Sequence, residues 1–355
     1  VRFWLAAFIL ASSLAAQADL TGAARYDYIR GPEEELAHRL ILKSKLNYNL
    51  GPFGLYLEGF GELEGNEDQK YIRRSESQAY LQEAYLEFKV DSFYLRVGRQ
   101  AIRWSESWTL PSLDVWTGRR YNRLYFDPLV DQLTHPTGIS ASYAIDTFSL
   151  EFVGIGDVAP NYYPIPVPKE NLEKNTSFGG RVKADVAGFG LSAITAQVLK
   201  KNYYGVSANY AFEKAVPKFE VGSVTDTAVS APLKKDHWFS TLGCDLFLGN
   251  WVLLPQVSVF EASTATLTTE NQVSYYLSTQ WNPNRHDLQM QFYRNDTAKD
   301  VFANVSYGYN VTDYMTVLGF VQNYEGQQGL YQVFEEITGG WAFGARVELT
   351  GNLAF

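Results

Sequence analysis

The chain has 355 residues and carries 39 acidic against 30 basic side chains, a net charge of −9, with 46% hydrophobic residues at a mean hydropathy of −0.20. An acidic balance argues against nucleic acid as a partner, and the one cysteine, Cys244, excludes an intrachain disulfide. High apolar content at negative mean hydropathy fits alternation rather than long apolar blocks, and 24 Tyr, 22 Phe and 8 Trp favour β-structure.

In chain order, Arg2, the apolar run Phe3 to Leu10 and the A-x-A site Ala16-Gln17-Ala18 predict a secretory signal peptide over residues 1–18. The run is short for a single-pass anchor, which needs about 20 residues. No later stretch has the length of a transmembrane helix, so membrane insertion of residues 19–355 would have to be by strands.

From Leu20 onward a period-two pattern recurs. Leu40, Leu42, Leu46 and Tyr48 alternate with Arg39, Lys43, Lys45 and Asn47; Phe53, Leu55, Leu57 and Leu63 with Tyr56, Glu58 and Glu62. Leu86, Phe88 and Val90 alternate with Tyr85, Glu87 and Lys89, and after the break Asp91-Ser92, Phe93, Leu95 and Val97 alternate with Tyr94, Arg96 and Gly98. A two-residue break between alternating runs reads as a hairpin. Similar runs flank Asp146-Thr147, Gly188-Phe189-Gly190, Gly249-Asn250, Asn282-Pro283-Asn284 and Thr312-Asp313, and the last one ends at Phe355. Each has roughly the 10 residues that a tilted strand needs to cross a bilayer. The count is about 18, with 16 as the alternative; the segments Asn202–Phe212 and Val216–Val224 decide between them.

The connections alternate as well. Short ones (49–52, 91–92, 146–147, 187–190, 213–216, 249–250, 282–286, 311–313) take turns with mostly longer, polar ones (30–36, 65–78, 104–136, 157–175, 225–236, 262–271, 324–339). Aromatic residues such as Phe53, Phe93, Phe148, Phe189, Trp251 and Trp281 crowd the short-turn side. This asymmetry predicts an all-β fold, a closed transmembrane antiparallel β-barrel with an interfacial aromatic girdle. A soluble β-sandwich or propeller would need neither feature.

If the apolar faces meet lipid, the alternate residues line the lumen: Arg39, Lys43, Lys45, Glu58, Glu62, Glu83, Glu87, Arg96, and further on Arg181, Lys183 and Asp185. The second half offers mainly neutral Ser278, Gln280, Gln289, Gln291, Asn304, Ser306 and Asn310. Such a division would set up a transverse field that selects permeants by charge; equally, neighbouring strands could pair their charges and hold the wall. Segment 104–136 is the longest connection and carries Glu106, Asp114, Arg119, Arg120 and Arg123 among aromatics, which suits a loop folded toward the pore rather than one on the surface. Arg99 would face lipid unless the strand bulges at Gly98-Arg99 or Arg99 stands above the bilayer; a bulge would turn it inward. The narrowest point is then expected where the loop meets Arg96, Arg99 and Arg103 and the row Arg39, Lys43 and Lys45, with Glu106 and Asp114 as opposing acids.

The stretches Leu81-Gln82-Glu83-Ala84-Tyr85-Leu86, Leu95-Arg96-Val97-Gly98-Arg99-Gln100 and Trp104-Ser105-Glu106 resemble alginate-export-type porins and related barrel families, which often carry Gly where Ser105 stands. The terminal Val347, Leu349, Leu353 and Phe355 resemble the C-terminal signal of Gram-negative outer-membrane barrels, with Gly351 one residue short of the usual spacing. These resemblances imply an outer-membrane location, lipid, lipopolysaccharide and the barrel assembly machinery as partners, and a channel. They do not imply alginate, since a polyanion calls for a strongly basic pore. The reading is a porin passing small polar solutes, with no cofactor and no metal. A plugged barrel acting as a surface receptor or adhesin is the alternative. A hydrolase is disfavoured, because His38, His135, His237 and His286 lie near loop or turn ends without a catalytic or metal-binding motif.

Overall fold

The computed structural model describes residues 18–32, 35–65, 78–107, 112–119, 133–157, 176–226, 236–263, 269–326, 332, 335 and 339–354. The expected signal peptide, apart from Ala18, lies outside these residues, as do Phe355, Arg120 and Arg123.

The strands are β1 (Ala18–Arg30), β2 (Glu35–Leu50), β3 (Phe53–Gly65), β4 (Gln78–Val90), β5 (Phe93–Arg99), β6 (Gly118–Arg119), β7 (Leu133–Thr134), β8 (Thr137–Ile145), β9 (Phe148–Asp157) and β10 (Ser177–Val186). They continue as β11 (Phe189–Val198), β12 (Lys201–Tyr210), β13 (Ala215–Asp226), β14 (Asp236–Leu248), β15 (Trp251–Ser263), β16 (Thr269–Trp281), β17 (His286–Asn295), β18 (Asp300–Thr312), β19 (Met315–Glu325) and β20 (Trp341–Ala354). Strands β6 and β7 form a separate two-stranded ribbon, and the other 18 form one sheet. Each pairs antiparallel with its neighbour in sequence, and β1 pairs with β20 from Asp19↔Ala354 to Arg30↔Phe343, so the sheet closes on itself. The higher strand count holds because both deciding segments form strands, β12 and β13.

Tight turns join the strands at the end where Ala18 and Ala354 lie. Asp91 and Asp146 reach φ of 47° and 50° there, within the left-handed range in which Asp is tolerated. At the opposite end two connections are tight turns as well, residues 199–200 and 296–299, with Leu199 and Lys299 at φ 56° and 60°.

Period two does the rest. Leu86 (62% exposed), Phe152 (62%) and Phe178 (57%) point outward with the other alternating apolar residues. Their intervening neighbours line the interior. At the tight-turn end, aromatic rings touch from strand to strand: Phe53 and Phe88 at 5.1 Å between centroids, Phe189 and Tyr210 at 4.4 Å, Trp251 and Trp281 at 5.9 Å. An outward apolar band with an aromatic rim is the surface that a bilayer solvates.

Register slips occur between Glu58 and Gly59 in the β3–β4 ladder and between Thr137 and Gly138 in β8–β9. None occurs at Gly98-Arg99, contrary to the expected bulge: Gly98 stands opposite Tyr85 and Gly138, and Arg99 opposite Ala84 and Thr137. Gly98 absorbs the irregularity in its own backbone, at φ 134°. Arg99 therefore keeps the register phase of Leu95 and Val97, as the last residue of β5, where the strand leaves the sheet.

The two faces should respond differently to charge. Phe152→Arg, at mid-strand on the outer face, should cost about 2–4 kcal/mol of folding stability in lipid vesicles, while Gln291→Arg, inward on β17, should cost under about 1 kcal/mol. Denaturant titration of vesicle-inserted protein measures both; equal losses would mean that the faces have been assigned the wrong way round.

Candidate functional site

The connection between β5 and β8 turns into the barrel. Its stem is tied by the Gln100 amide, which donates to the Pro136 carbonyl (3.1 Å), and by Ser140 Oγ, which donates to Gln100 Oε1 (2.6 Å). Thr117 Oγ1 donates to the Ile102 carbonyl at 3.1 Å and so folds the loop back on itself. Trp104, Leu113 and Trp116 are fully buried, and the two indoles meet edge to face at 5.0 Å. With Ile102 they pack on inward residues of three strands: Val153 and Ile155 of β9, Ile194, Ala196 and Val198 of β11, and Phe239 of β14. Burying side chains of this size contributes about 1.5–3 kcal/mol each.

Two glycines make room for the loop. A Cβ on Gly179 of β10 would lie 2.9 Å from Trp104 Cη2, and one on Gly205 of β12 would overlap Leu113 Cδ2. Polar contacts complete the seam. Glu220 of β13, 1% exposed, accepts Ser105 Oγ at 2.7 and 2.9 Å and the backbone N–H groups of Glu106 (2.5 Å) and Ser107 (3.0 Å). Ser112 and Thr241 of β14 share a hydroxyl hydrogen bond. Arg181 of β10 donates to the Arg103 carbonyl at 3.2 Å and lies 5.8 Å from the centre of the Trp104 ring.

The wall formed by β2 to β5 carries the charges expected there, held in stacks. Lys45 sits 5.0 Å over Tyr56, Tyr56 stacks on Tyr85 at 4.9 Å, and Arg96 lies 4.7 Å from the centroids of both Tyr85 and Tyr94. Tyr56 donates to Glu58 (2.5 Å), Tyr94 donates to Glu87, and Arg96 stands 3.6 Å from Glu87. Glu83 faces the loop stem, accepting from the Ala101 amide at 3.5 Å with His135 at 3.9 Å. Between the loop stem and strands β5 and β8 to β10 lies a cavity of ≈ 290 Å³, where Arg96, Arg103, Arg181 and Lys183 meet Glu151 and the hydroxyls of Ser140, Ser142 and Ser149. Arg181 is fixed on Glu151 at 2.5 Å, and Lys183 is 3.8 Å from Glu106.

Several expectations change. Arg39 and Glu62 do not join Lys45 in this stack. They belong to a buried cluster in which Asp27, 0% exposed, binds Arg25 (3.1 Å), Arg39 (2.7 Å) and Arg346 (2.7 Å), with Glu62 3.8 Å from Arg39. Lys43 shares the inward phase of β2 with Lys45. Glu106 and Asp114 have other partners than Arg99: Glu106 turns to Lys183, and Asp114 accepts from Thr117 at 3.2 Å. Arg103 lies beyond the end of β5, and Arg119 pairs with Leu133 in the ribbon of β6 and β7. The second half of the barrel is not neutral either, since Lys218 binds Asp245 at 2.7 Å beside Glu220. The sequence reading missed Arg25, Asp27, Arg346, Glu151 and Glu220. All lie at inward positions of alternating runs, so the period-two signal was present; their partners come from other strands and from the loop.

No protein-family model and no curated protein matches the chain. Among solved structures it is similar to OccK7 (OpdD) of Pseudomonas aeruginosa, at 12% identity and a TM-score of 0.63 over 95% of this chain and 98% of that one. The outer membrane protein opdK from Pseudomonas aeruginosa gives 11% identity and a TM-score of 0.62 over 95% and 99%. OccAB3 of Acinetobacter baumannii gives 12% and 0.62 over 95% and 99%. What this chain shares with them is the fold, along essentially its whole length.

The contact between Leu113 and Gly205 is open to a double-mutant cycle. Gly205→Val should destabilise by about 1–3 kcal/mol through overpacking, and Leu113→Ala by about 2–5 kcal/mol. The pair should lose at least about 1 kcal/mol less than the sum, because the smaller side chain frees the space that Val needs. Thermal unfolding followed by tryptophan fluorescence would report this, and strict additivity would show that the two residues do not meet.

Proposed function

We propose that the chain is an outer-membrane channel through which small polar or charged solutes diffuse passively. The observation that carries the reading is a closed 18-stranded barrel with an apolar outside, a charged inside, and a long loop packed on one inner wall. Its likeness in fold to the outer membrane protein opdK supports the location. Residues 1–18 serve as the export signal in this reading, with residues 19–355 as one barrel domain. Lipid, lipopolysaccharide and the barrel assembly machinery are its partners, and the resemblance to alginate-export-type porins extends to the barrel and the channel rather than to the solute.

The loop narrows the passage, and the permeating solute runs between it and the β2–β5 wall. Lys45, Glu58, Glu83, Glu87, Arg96, Arg103 and Glu106 line this path. The cavity is lined by four cationic residues and Glu151, with Glu106 beside Lys183 and Glu87 beside Arg96, so these charges leave an excess of one positive although the chain is acidic. Local geometry rather than net charge sets the field that an ion meets in a narrow, low-dielectric cleft.

Purified protein in planar bilayers should give stepwise conductance. Lys183→Ala removes one positive charge; at about 5 Å in water that charge is worth about 0.8 kcal/mol, so anion permeability should fall and cation permeability rise by up to about fourfold each, and their ratio should fall by up to about 16-fold, at low salt. Arg285→Ala, in an exposed turn, should leave selectivity unchanged. Silence at every voltage would replace the channel reading with a plugged barrel that binds at its surface.

A further inference from the structure

We propose that Glu220 is the positioning residue of this channel: its carboxylate holds the inward loop on the wall and thereby sets both the width of the passage and which charges face it. The proposal rests on the channel reading above. Glu220 stands on β13 between Ser207 of β12 and Thr241 of β14, so both of its cross-strand neighbours are hydroxyls. Among the described residues no cation forms an ion pair with it; Lys218, two residues back on the same face, is taken by Asp245 at 2.7 Å. The carboxylate is satisfied by the loop itself, through Ser105 Oγ and the amides of Glu106 and Ser107. Hydrogen bonds to an ionised acceptor are the strong and directional ones, and a buried carboxylate without them is costly.

The other loop contacts differ in kind. Trp104, Leu113 and Trp116 bury apolar surface, which resists departure from the wall but tolerates sliding along it. Glu220 alone grips three consecutive residues, and their orientation decides two features of the cavity: the Glu106 carboxylate reaches Lys183 at 3.8 Å, and the Arg103 carbonyl reaches Arg181 at 3.2 Å. Without that grip, Glu106 would cease to offset Lys183 at a fixed place.

The test uses full-length protein in a Cys244→Ser background, with Ser112→Cys as a reporter because Ser112 rests on Thr241. In Glu220→Ala, a membrane-impermeant thiol reagent should label position 112 about tenfold faster or more, since the loop opens locally. The single-channel current should become larger and noisier, and the ion selectivity should shift. Glu220→Gln should fall between the original and Glu220→Ala, because its Oε1 can still accept Ser105 Oγ and both loop amides while the charge that strengthens those bonds is lost; Glu220→Asp, which keeps the charge but shortens the reach, should likewise recover only part of the original behaviour. A Ser112→Cys/Thr241→Cys disulfide in Glu220→Ala should restore the conductance, and a reductant should abolish the rescue. If Glu220→Ala does not assemble, the disulfide-tethered form, assembled first and then reduced, supplies the same comparison. Original labelling, conductance and noise in Glu220→Ala would overturn the proposal. A parent protein that does not conduct would overturn the channel reading instead, while the labelling arm still decides the role of Glu220.

Discussion

Hydrocarbon offers no partner to a backbone N–H or C=O, and each such group left open there costs several kcal/mol. A sheet that crosses a bilayer must therefore have no edge. Here that requirement falls on the first and last strands, whose ladder runs from Asp19↔Ala354 to Arg30↔Phe343. Closure then fixes the side chains: with period two, one set of residues must dissolve in lipid and the other must meet water, another charge or a packed segment. The Asp27 cluster sits on this seam. Its members come from β1, β2 and β20, with Glu62 of β3 nearby, so one buried carboxylate links the chain's start to its end. Isolated ions in such a place would be expensive, and grouping them with hydrogen bonds offsets that cost while allowing only one register of β1 against β20.

The interior divides because the loop can dock on only one side. Strands β9, β11 and β14 present the apolar inward residues on which the loop packs, with glycine on β10 and β12 at the two places where Trp104 and Leu113 press closest. Strands β2 to β5 present Lys45, Tyr56, Tyr85 and Arg96 in a stack of rings and cations, with Glu87 beside Arg96. Trp104 and Trp116 thus find apolar partners on β9, β11 and β14. The loop's polar stem stays near β5 and β8, and the charged cavity is the space left between.

Much of this was legible in the sequence. Alternation such as Leu86, Phe88, Val90 against Tyr85, Glu87, Lys89 yields strand, face and hairpin together, because each is a consequence of the same periodicity. The strand count followed once the run 201–226 was read as two strands. What alternation cannot supply is pairing across the lumen. Glu220 is an ordinary inward residue until residues 105–107 arrive, more than a hundred positions away in the chain. Arg99 shows the opposite error: a charge in an apolar phase suggested a bulge, whereas the strand simply ends there and Gly98 takes up the irregularity in φ. The turns at 199–200 and 296–299 escaped the sequence reading, since a two- to four-residue turn with Lys in it carries little turn signal.

Two buried carboxylates in one barrel illustrate two ways of holding an ion. Asp27 is matched by whole charges on neighbouring strands, which come into place as the ladder forms and depart only if it breaks. Glu220 is matched by dipoles from a segment with no strand of its own at that point, so its partners can leave while the ladder stays intact. Local openings draw on the contacts of the moving segment and not on the whole fold. The first carboxylate therefore belongs to the stability of the wall. The second belongs to the position of the loop, and with it to the width of the space where Arg96, Arg181 and Lys183 converge.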